Sequence, residues 1–439
     1  MKHDVFEELR AENPVPEVPP PPPLGPLLDR LREEPLVDRR TRSNPRSGWR
    51  RALALVPALI AVAVVVAIAG VFLSSVRHRQ PSASARPGVA ARNGKVAFTP
   101  GGAYGNYKQP PDFFGPTRSE HGVTWALDAV GVSNPDGSGR QNVGAYRCAK
   151  PTYACGVDSF AWSPDGTQIA YLAGHPATGN APISLALYLV DANGNNVREL
   201  ASCGDCDTSS FRTGFSWSPD GSTIVLTRAT GQAQRLWLVS VKTGALHRLT
   251  DCASGTTCAD GSPEWSPSGQ AIVFGRSVKG HVAAIYTVRP DGTHLTLIAS
   301  VAGAQGPQWS SDGRKITFQA NNGIYTVNAD GTQLTHIVAA GPLAGAPSWS
   351  PDGTTLLYQT YNTSIVMTYV WTISADGTNI RRVYSGPNPD SFWAQSVWSP
   401  DGKQIAVGTD HGTFVMNADG TGVRRVGEAS DQVAWQPIP

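Results

Sequence analysis

The residues of this chain best equipped for chemistry are its six cysteines. They form three close pairs: Cys148 with Cys155, Cys203 with Cys206, and Cys252 with Cys258. Thiols this close either oxidise to local disulfides or ligate a soft metal as thiolates. Cys203-Gly-Asp-Cys206 has the two-residue gap of zinc and redox motifs. A zinc ribbon needs a second pair of that kind, and a redox pair sits at a helix start. Local disulfides account for all three pairs and require an oxidising compartment.

Other side chains offer less. His121, His175, His281 and His411 fall in loops of one expected face and could converge on a metal. They belong to different structural units, so they are read as solvated loop residues, and no metal or cofactor is assigned. No Gly-x-Ser-x-Gly elbow occurs and no hydrolase domain follows, so no catalytic residue is assigned. The stretch 99–124 holds Tyr104, Tyr107, Phe113 and Phe114 among Gly and Pro, and Tyr361 and Trp393 lie in or near loops of the same face. These aromatics either contact a protein, peptide or saccharide ligand or cap the underlying core. The net charge of +2 gives no electrostatic reason to expect a nucleic-acid partner.

Something must hold these loops together, and the sequence shows it as a repeat. Phe160-Ala-Trp-Ser-Pro-Asp-Gly recurs at Phe215, and as near copies at Pro263, Pro307, Pro347 and Ser396, with a truncated copy at Val433. The signature tryptophans are Trp162, Trp217, Trp265, Trp309, Trp349, Trp398 and Trp435, expected in the core between units. Their mean spacing of about 45 residues is that of four-stranded propeller blades. In each unit the Trp ends a first strand. Pro, Asp and Gly then shape a turn, because Pro presets φ, Asp bonds its own backbone and Gly accepts positive φ. A second strand follows, such as 168–171 or 315–318. A third comes next, such as 285–288, 324–327 or 414–416. An Asp-Gly turn and a short fourth strand, as in 423–426, complete the unit.

This pattern resembles the WD-like repeats of TolB-type β-propellers over about residues 94–437. The resemblance implies the fold; propellers host unrelated tasks, so it carries little about function. TolB proteins combine six blades with an N-terminal α/β domain. Neither matches here, and no role in the Tol system is carried over. The last copy has room for one strand only, while 95–98, 125–132 and 141–146 read as second, third and fourth strands with no signature before them. The two chain ends therefore share one blade. The expected fold is all-β: a seven-bladed propeller closed by its terminal strands, which removes exposed edges. Tight Asp-Gly turns line one face. The cysteine pairs and the long loops line the other.

Residues 52–73 contain no charge and, as a helix, reach about 33 Å, enough for a bilayer core. The fifty-one residues before it favour a retained signal-anchor over a cleaved signal peptide. Arg39, Arg40, Arg42, Arg46, Arg50 and Arg51 outnumber the cations after the span, which places the N-terminus in the cytoplasm. The expected organisation is a Pro-rich cytoplasmic tail (1–51), a transmembrane helix (52–73), a linker (74–93) and the propeller (94–439). The tail is either a disordered stalk or a docking segment for a cytoplasmic partner. The whole reads as a bacterial single-pass cell-membrane protein. It presents a binding, sensing or protein-interaction propeller outside the cytoplasm. The alternatives are a lyase or hydrolase with its site at the propeller mouth, and an assembly scaffold.

Overall fold

The computed structural model of the chain describes residues 92–99, 118–120, 123–148, 157–175, 184–204, 214–230, 233–252, 258–278, 280–321, 323–339, 343–362, 367–387, 395–409, 411–428, 430 and 432–438. The segments 1–51 and 52–73 lie outside these residues. Among the described residues no helix is long and apolar enough to cross a membrane.

The described residues form strands throughout. In chain order they begin β1 (Arg92–Phe98), β2 (Arg118–Glu120), β3 (Val123–Ser133) and β4 (Gln141–Cys148). Then come β5 (Val157–Trp162), β6 (Gln168–His175), β7 (Ser184–Asp191), β8 (Arg198–Gly204), β9 (Phe215–Trp217), β10 (Thr223–Thr230), β11 (Ala233–Ser240) and β12 (Leu246–Arg248). Next are β13 (Cys258–Trp265), β14 (Ile272–Val278), β15 (Ala284–Val288), β16 (Thr296–Ser300), β17 (Gln305–Trp309), β18 (Lys315–Ala320), β19 (Gly323–Asn328) and β20 (Thr335–Val338). The last are β21 (Leu343–Trp349), β22 (Thr355–Asn362), β23 (Met367–Ser374), β24 (Arg381–Pro387), β25 (Ser396–Trp398), β26 (Gln404–Thr409), β27 (Gly412–Asn417), β28 (Arg424–Gly427) and β29 (Val433–Ile438). Successive strands pair antiparallel within each unit, and the arrangement is an all-β propeller.

The expected count of seven separate blades is corrected. The strands sort into five separate blade sheets and one double sheet. Four of the five, β5–β8, β17–β20, β21–β24 and β25–β28, are four-stranded. The fifth holds β29, β1, β3 and β4, with β2 added at β3. The double sheet has eight strands, β9–β16. Its two halves are joined by one parallel pair, Gln234 of β11 with Ala259 of β13. The cause is local. β13 begins at Cys258, seven residues ahead of its signature tryptophan, and its start reaches β11.

Closure by the chain ends forms as the repeat implied. β1 pairs with β29 in the register Val96 to Trp435 and Phe98 to Val433, and with β3 on its other side. Residues 81–439 form one compact unit. Its first and last strands pair with each other, so the segment closes on itself. The core lies between units. Ala97, Val130 and Val143 pack with Ile169, Tyr171 and Tyr188, and Val225 and Leu236 pack with Ile272 and Phe274. Trp162, Trp217, Trp309, Trp349 and Trp435 are buried, while Trp265 and Trp398 are half-buried. The Trp217 indole Nε1 donates to the Ala161 carbonyl of the preceding unit at 3.3 Å.

The turns form because the signature residues bond one another. In Ser163-Pro-Asp-Gly the Ser163 hydroxyl donates to Asp165 Oδ1 at 2.6 Å, the Thr167 amide donates to the same oxygen at 3.0 Å, and Gly166 takes φ +69°. In Ser266-Pro-Ser-Gly a second serine replaces the aspartate, and the Ser266 and Ser268 hydroxyls meet at 3.2 Å. These bonds shift the carboxylates. The hydroxyls of Ser163, Ser218 and Ser350 hold Asp165, Asp220 and Asp352 below the usual carboxylate range. Thr293, Thr332, Thr378 and Thr421 do the same for Asp291, Asp330, Asp376 and Asp419 at the second turns, as does Ser138 for Asp136. At Asp312 and Asp401 burial opposes the shift, but turn hydrogen bonds outweigh it.

A lowered native pKa stabilises the fold above the unfolded value of about 3.9, and that contribution disappears as pH falls through the native value. The urea midpoint should therefore be flat from pH 7 to 5 and fall steeply below about pH 4. A midpoint that held constant to pH 3 would rule out a stabilising role for the turn carboxylates.

Candidate functional site

Turns between first and second strands, and between third and fourth strands, emerge at one end of every unit, because the strands alternate in direction. The remaining connections emerge at the other end. The described part of that loop-rich end is best defined at the double-sheet joint. There β10 ends, β11 and β13 begin, β14 ends, and residues 249–252 lead out of β12.

A disulfide joins Cys252 to Cys258 with Cα atoms 5.9 Å apart. Cys258 opens β13, and two residues later Asp260 is wholly buried. Arg276, near the end of β14, grips it with two donors: Nε to Oδ1 at 2.6 Å and Nη2 to Oδ2 at 2.7 Å. The Thr250 hydroxyl also donates to Oδ2 at 2.6 Å, and in turn accepts the Leu236 amide at 3.0 Å. Arg276 Nη2 reaches the Asp251 carbonyl at 3.3 Å. Its guanidinium carbon lies 5.3 Å from the Phe274 ring centre and 5.5 Å from that of Tyr286. Such stacking suits the flat, weakly hydrated guanidinium. Arg235 of β11 is also buried, and its Nη1 donates to the carbonyls of Cys258 and Gln234, both at 2.7 Å. Arg228 of β10 faces Arg235 in cross-strand register and lies 5.1 Å from the Trp237 ring centre.

The structure thus ties both ends of the disulfide loop to buried guanidinium groups. Arg235 bonds the carbonyl of Cys258, and Arg276 bonds the carbonyl next to Cys252. None of these arginines, nor Asp260, was a candidate on sequence grounds. A signal was present: Arg228 and Arg276 both stand eleven residues after their signature tryptophans, where other units have Ala173, Ala320, Thr360 and Thr409.

The sequence candidates fall elsewhere. Tyr104, Tyr107, Phe113, Phe114, His121 and Trp393 lie outside the described residues, as do Cys155 and Cys206. Tyr361 belongs to β22 and His175 closes β6, while Cys148 ends β4 and Cys203 lies in β8, all strand positions where loops were expected. His281 and His411 are exposed on separate units. Among the described residues, no group of three or more His, Cys, Asp or Glu is placed to hold a metal.

On the opposite, turn-bearing face an open groove of about 550 Å³ runs between the units of β17–β20 and β21–β24, lined by Asp312, Arg314, Lys315, Thr354 and Asp376 among others. Its carboxylates are already engaged. Asp312 accepts from Ser310 and the Arg314 amide, and Asp376 from Thr378. The groove is a surface of completed turns, and the loop-rich end remains the stronger candidate.

Comparison with known proteins supports the fold. No family model matches the chain. An uncharacterised protein of Agrobacterium fabrum is 29% identical over 169 residues, covering 36% of this chain and 52% of its own length. The uncharacterised peptidase YuxL of Bacillus subtilis is 28% identical over 145 residues, 32% of this chain and 20% of that protein. The chain therefore spans about half the length of the first of these relatives and a fifth of the second. Among solved structures, an oligogalacturonate lyase in complex with manganese superposes with a TM-score of 0.50 at 15% identity, over 71% of this chain and 84% of that one. TolB from Acinetobacter baumannii gives 0.45 at 19% identity, over 65% and 62%. At 15% identity the likeness to the lyase concerns the fold alone.

Proposed function

We propose that the chain is a single-pass membrane protein whose propeller stands outside the cytoplasm and binds a protein, peptide or saccharide ligand on its loop-rich face. The observation that carries this is the Cys252–Cys258 disulfide at that face. Such a bond persists in oxidising compartments and is rare in the cytosol. The uncharged segment 52–73 and the arginines before it agree with that orientation. The stretch 99–124 carries Tyr104, Tyr107, Phe113 and Phe114 in its sequence, and binding proteins place recognition on variable connections between rigid strands. A cytoplasmic partner for the Pro-rich tail belongs to the same proposal.

Two results test it. Protein taken from its host and unfolded without reductant should show no titratable thiol among its six cysteines. Six reactive thiols would contradict an oxidising compartment. Deleting residues 104–116 should leave the thermal transition intact while reducing co-purification of the ligand at least tenfold, a loss of about 1.4 kcal/mol or more. Unchanged capture would remove the aromatic loop from the binding face. A lyase or hydrolase site at the same mouth is the competing reading, and stoichiometric metal in protein purified without chelators would favour it.

A further inference from the structure

Among the described residues, the double-sheet joint holds more buried positive charge than the Asp260 carboxylate balances. Asp260 is fully engaged, with Arg276 Nε and Nη2 and the Thr250 hydroxyl all donating to its two oxygens. That leaves Arg235. It is 9% exposed, and its Nη1 bonds only the carbonyls of Cys258 and Gln234. Carbonyl dipoles orient a guanidinium without neutralising it, and arginine keeps its charge at any ordinary pH. An unbalanced buried charge is costly to fold around.

The geometry points to a binding site for an anionic group, a carboxylate or a phosphate, at Arg235. The arrangement suits such a group in three ways. Nη1 is occupied by the two carbonyls, so the Nε and Nη2 edge remains for the two oxygens of an anion, the bidentate contact for which a guanidinium is shaped. Those carbonyls also fix the plane of the group before any ligand arrives, and the disulfide at Cys258 fixes one of them in turn. Arg235 is the third residue of β11, immediately after the β10–β11 connection, so the anion enters from the loop-rich face. Arg276 stays with Asp260 and supplies the second wall of the joint. This inference rests on the loop-face reading and names the chemistry of its ligand.

The test uses residues 81–439, which close on themselves through the β1–β29 pairing. The protein is titrated with sodium phosphate and, separately, sodium acetate at constant ionic strength. Two signals are followed: the unfolding midpoint and the arginine Nε–H resonances in a ¹⁵N spectrum. The expected result is a saturable rise in midpoint with at least one anion, together with a shift of the Arg235 resonance. The stronger of the two anions identifies the phosphate or the carboxylate class. Arg235→Met should weaken the response at least tenfold, and Arg235→Lys should restore part of it. No saturable response of the wild type to either anion overturns the site, as does an undiminished response in Arg235→Met. Should Arg235→Met fail to fold, the wild-type resonance shift decides alone. If the anions fail while deletion of 104–116 still abolishes ligand capture, the binding face stands and the anion site at Arg235 does not.

Discussion

Truncating the chain after Asp431 should abolish cooperative folding of the propeller. β29 supplies the first strand of the closing sheet, and without it the backbone edge of β1 from Arg92 to Phe98 loses its partner. An open edge of that length invites pairing between molecules. The loss also empties a core cluster. Trp435 and Val433 are 7% and 2% exposed, and they pack with Val96, Phe98, Ala406 and Val415. It removes contacts to both flanking units as well, since Gln432 accepts the Phe160 amide at 3.3 Å on one side and the Val433 amide donates to the Gln395 side chain, just ahead of β25, at 3.1 Å on the other. Truncating a buried Trp alone costs about 3–5 kcal/mol. A whole domain is stable by about 5–15 kcal/mol, so removing the entire strand consumes most of that margin. Calorimetry should show one sharp transition for the intact chain and a broad, weak one for the truncated chain. Trp435→Ala should remain folded with a lower midpoint. A truncated chain that melted as sharply as the intact one would show that the ring does not depend on closure.

Asp260→Ala should cost about 3–5 kcal/mol in urea unfolding. It leaves the Arg276 guanidinium, whose side chain is 7% exposed, without its counter-charge. The two aromatic rings beneath Arg276 cannot replace a carboxylate. Replacing both partners by apolar residues, Asp260→Leu with Arg276→Met, should recover the loss to within about 1–2 kcal/mol, because a buried pair roughly balances its own desolvation. A double variant as unstable as Asp260→Ala would mean that the pair contributes something apolar packing cannot, such as the register of β13 against β11.

The scaffold was legible in the sequence because its turns are chemical signatures. Each Ser-Pro-Asp-Gly bonds its own backbone in the same way, so the tryptophan spacing places every first strand. The closing sheet followed from arithmetic on the last copy. Strands expected at 95–98, 125–132 and 141–146 form at Arg92–Phe98, Val123–Ser133 and Gln141–Cys148. The joint was not legible, and Asp260 shows why. Cys258-Ala-Asp-Gly-Ser-Pro has the composition of a turn, yet it forms the start of β13, with a bulge after Gly261 and Ser262 at φ +51°. Its carboxylate bonds Arg276, sixteen residues away, and not its own backbone. Local pattern cannot reveal such a partner. The fusion of two units rests on the single pair of Gln234 with Ala259 in that same turn-like stretch at the start of β13.

A propeller that is oxidised and faces the outside of the cell is reached by reagents that do not cross the membrane. Ser138 is exposed in the turn between β3 and β4, and Ser138→Cys places one free thiol there. A membrane-impermeant maleimide applied to intact cells should modify Cys at 138 and leave Cys252 and Cys258 unmodified, as partners in their disulfide. Labelling only after lysis, or maleimide on Cys252 and Cys258 in unreduced protein, would contradict it.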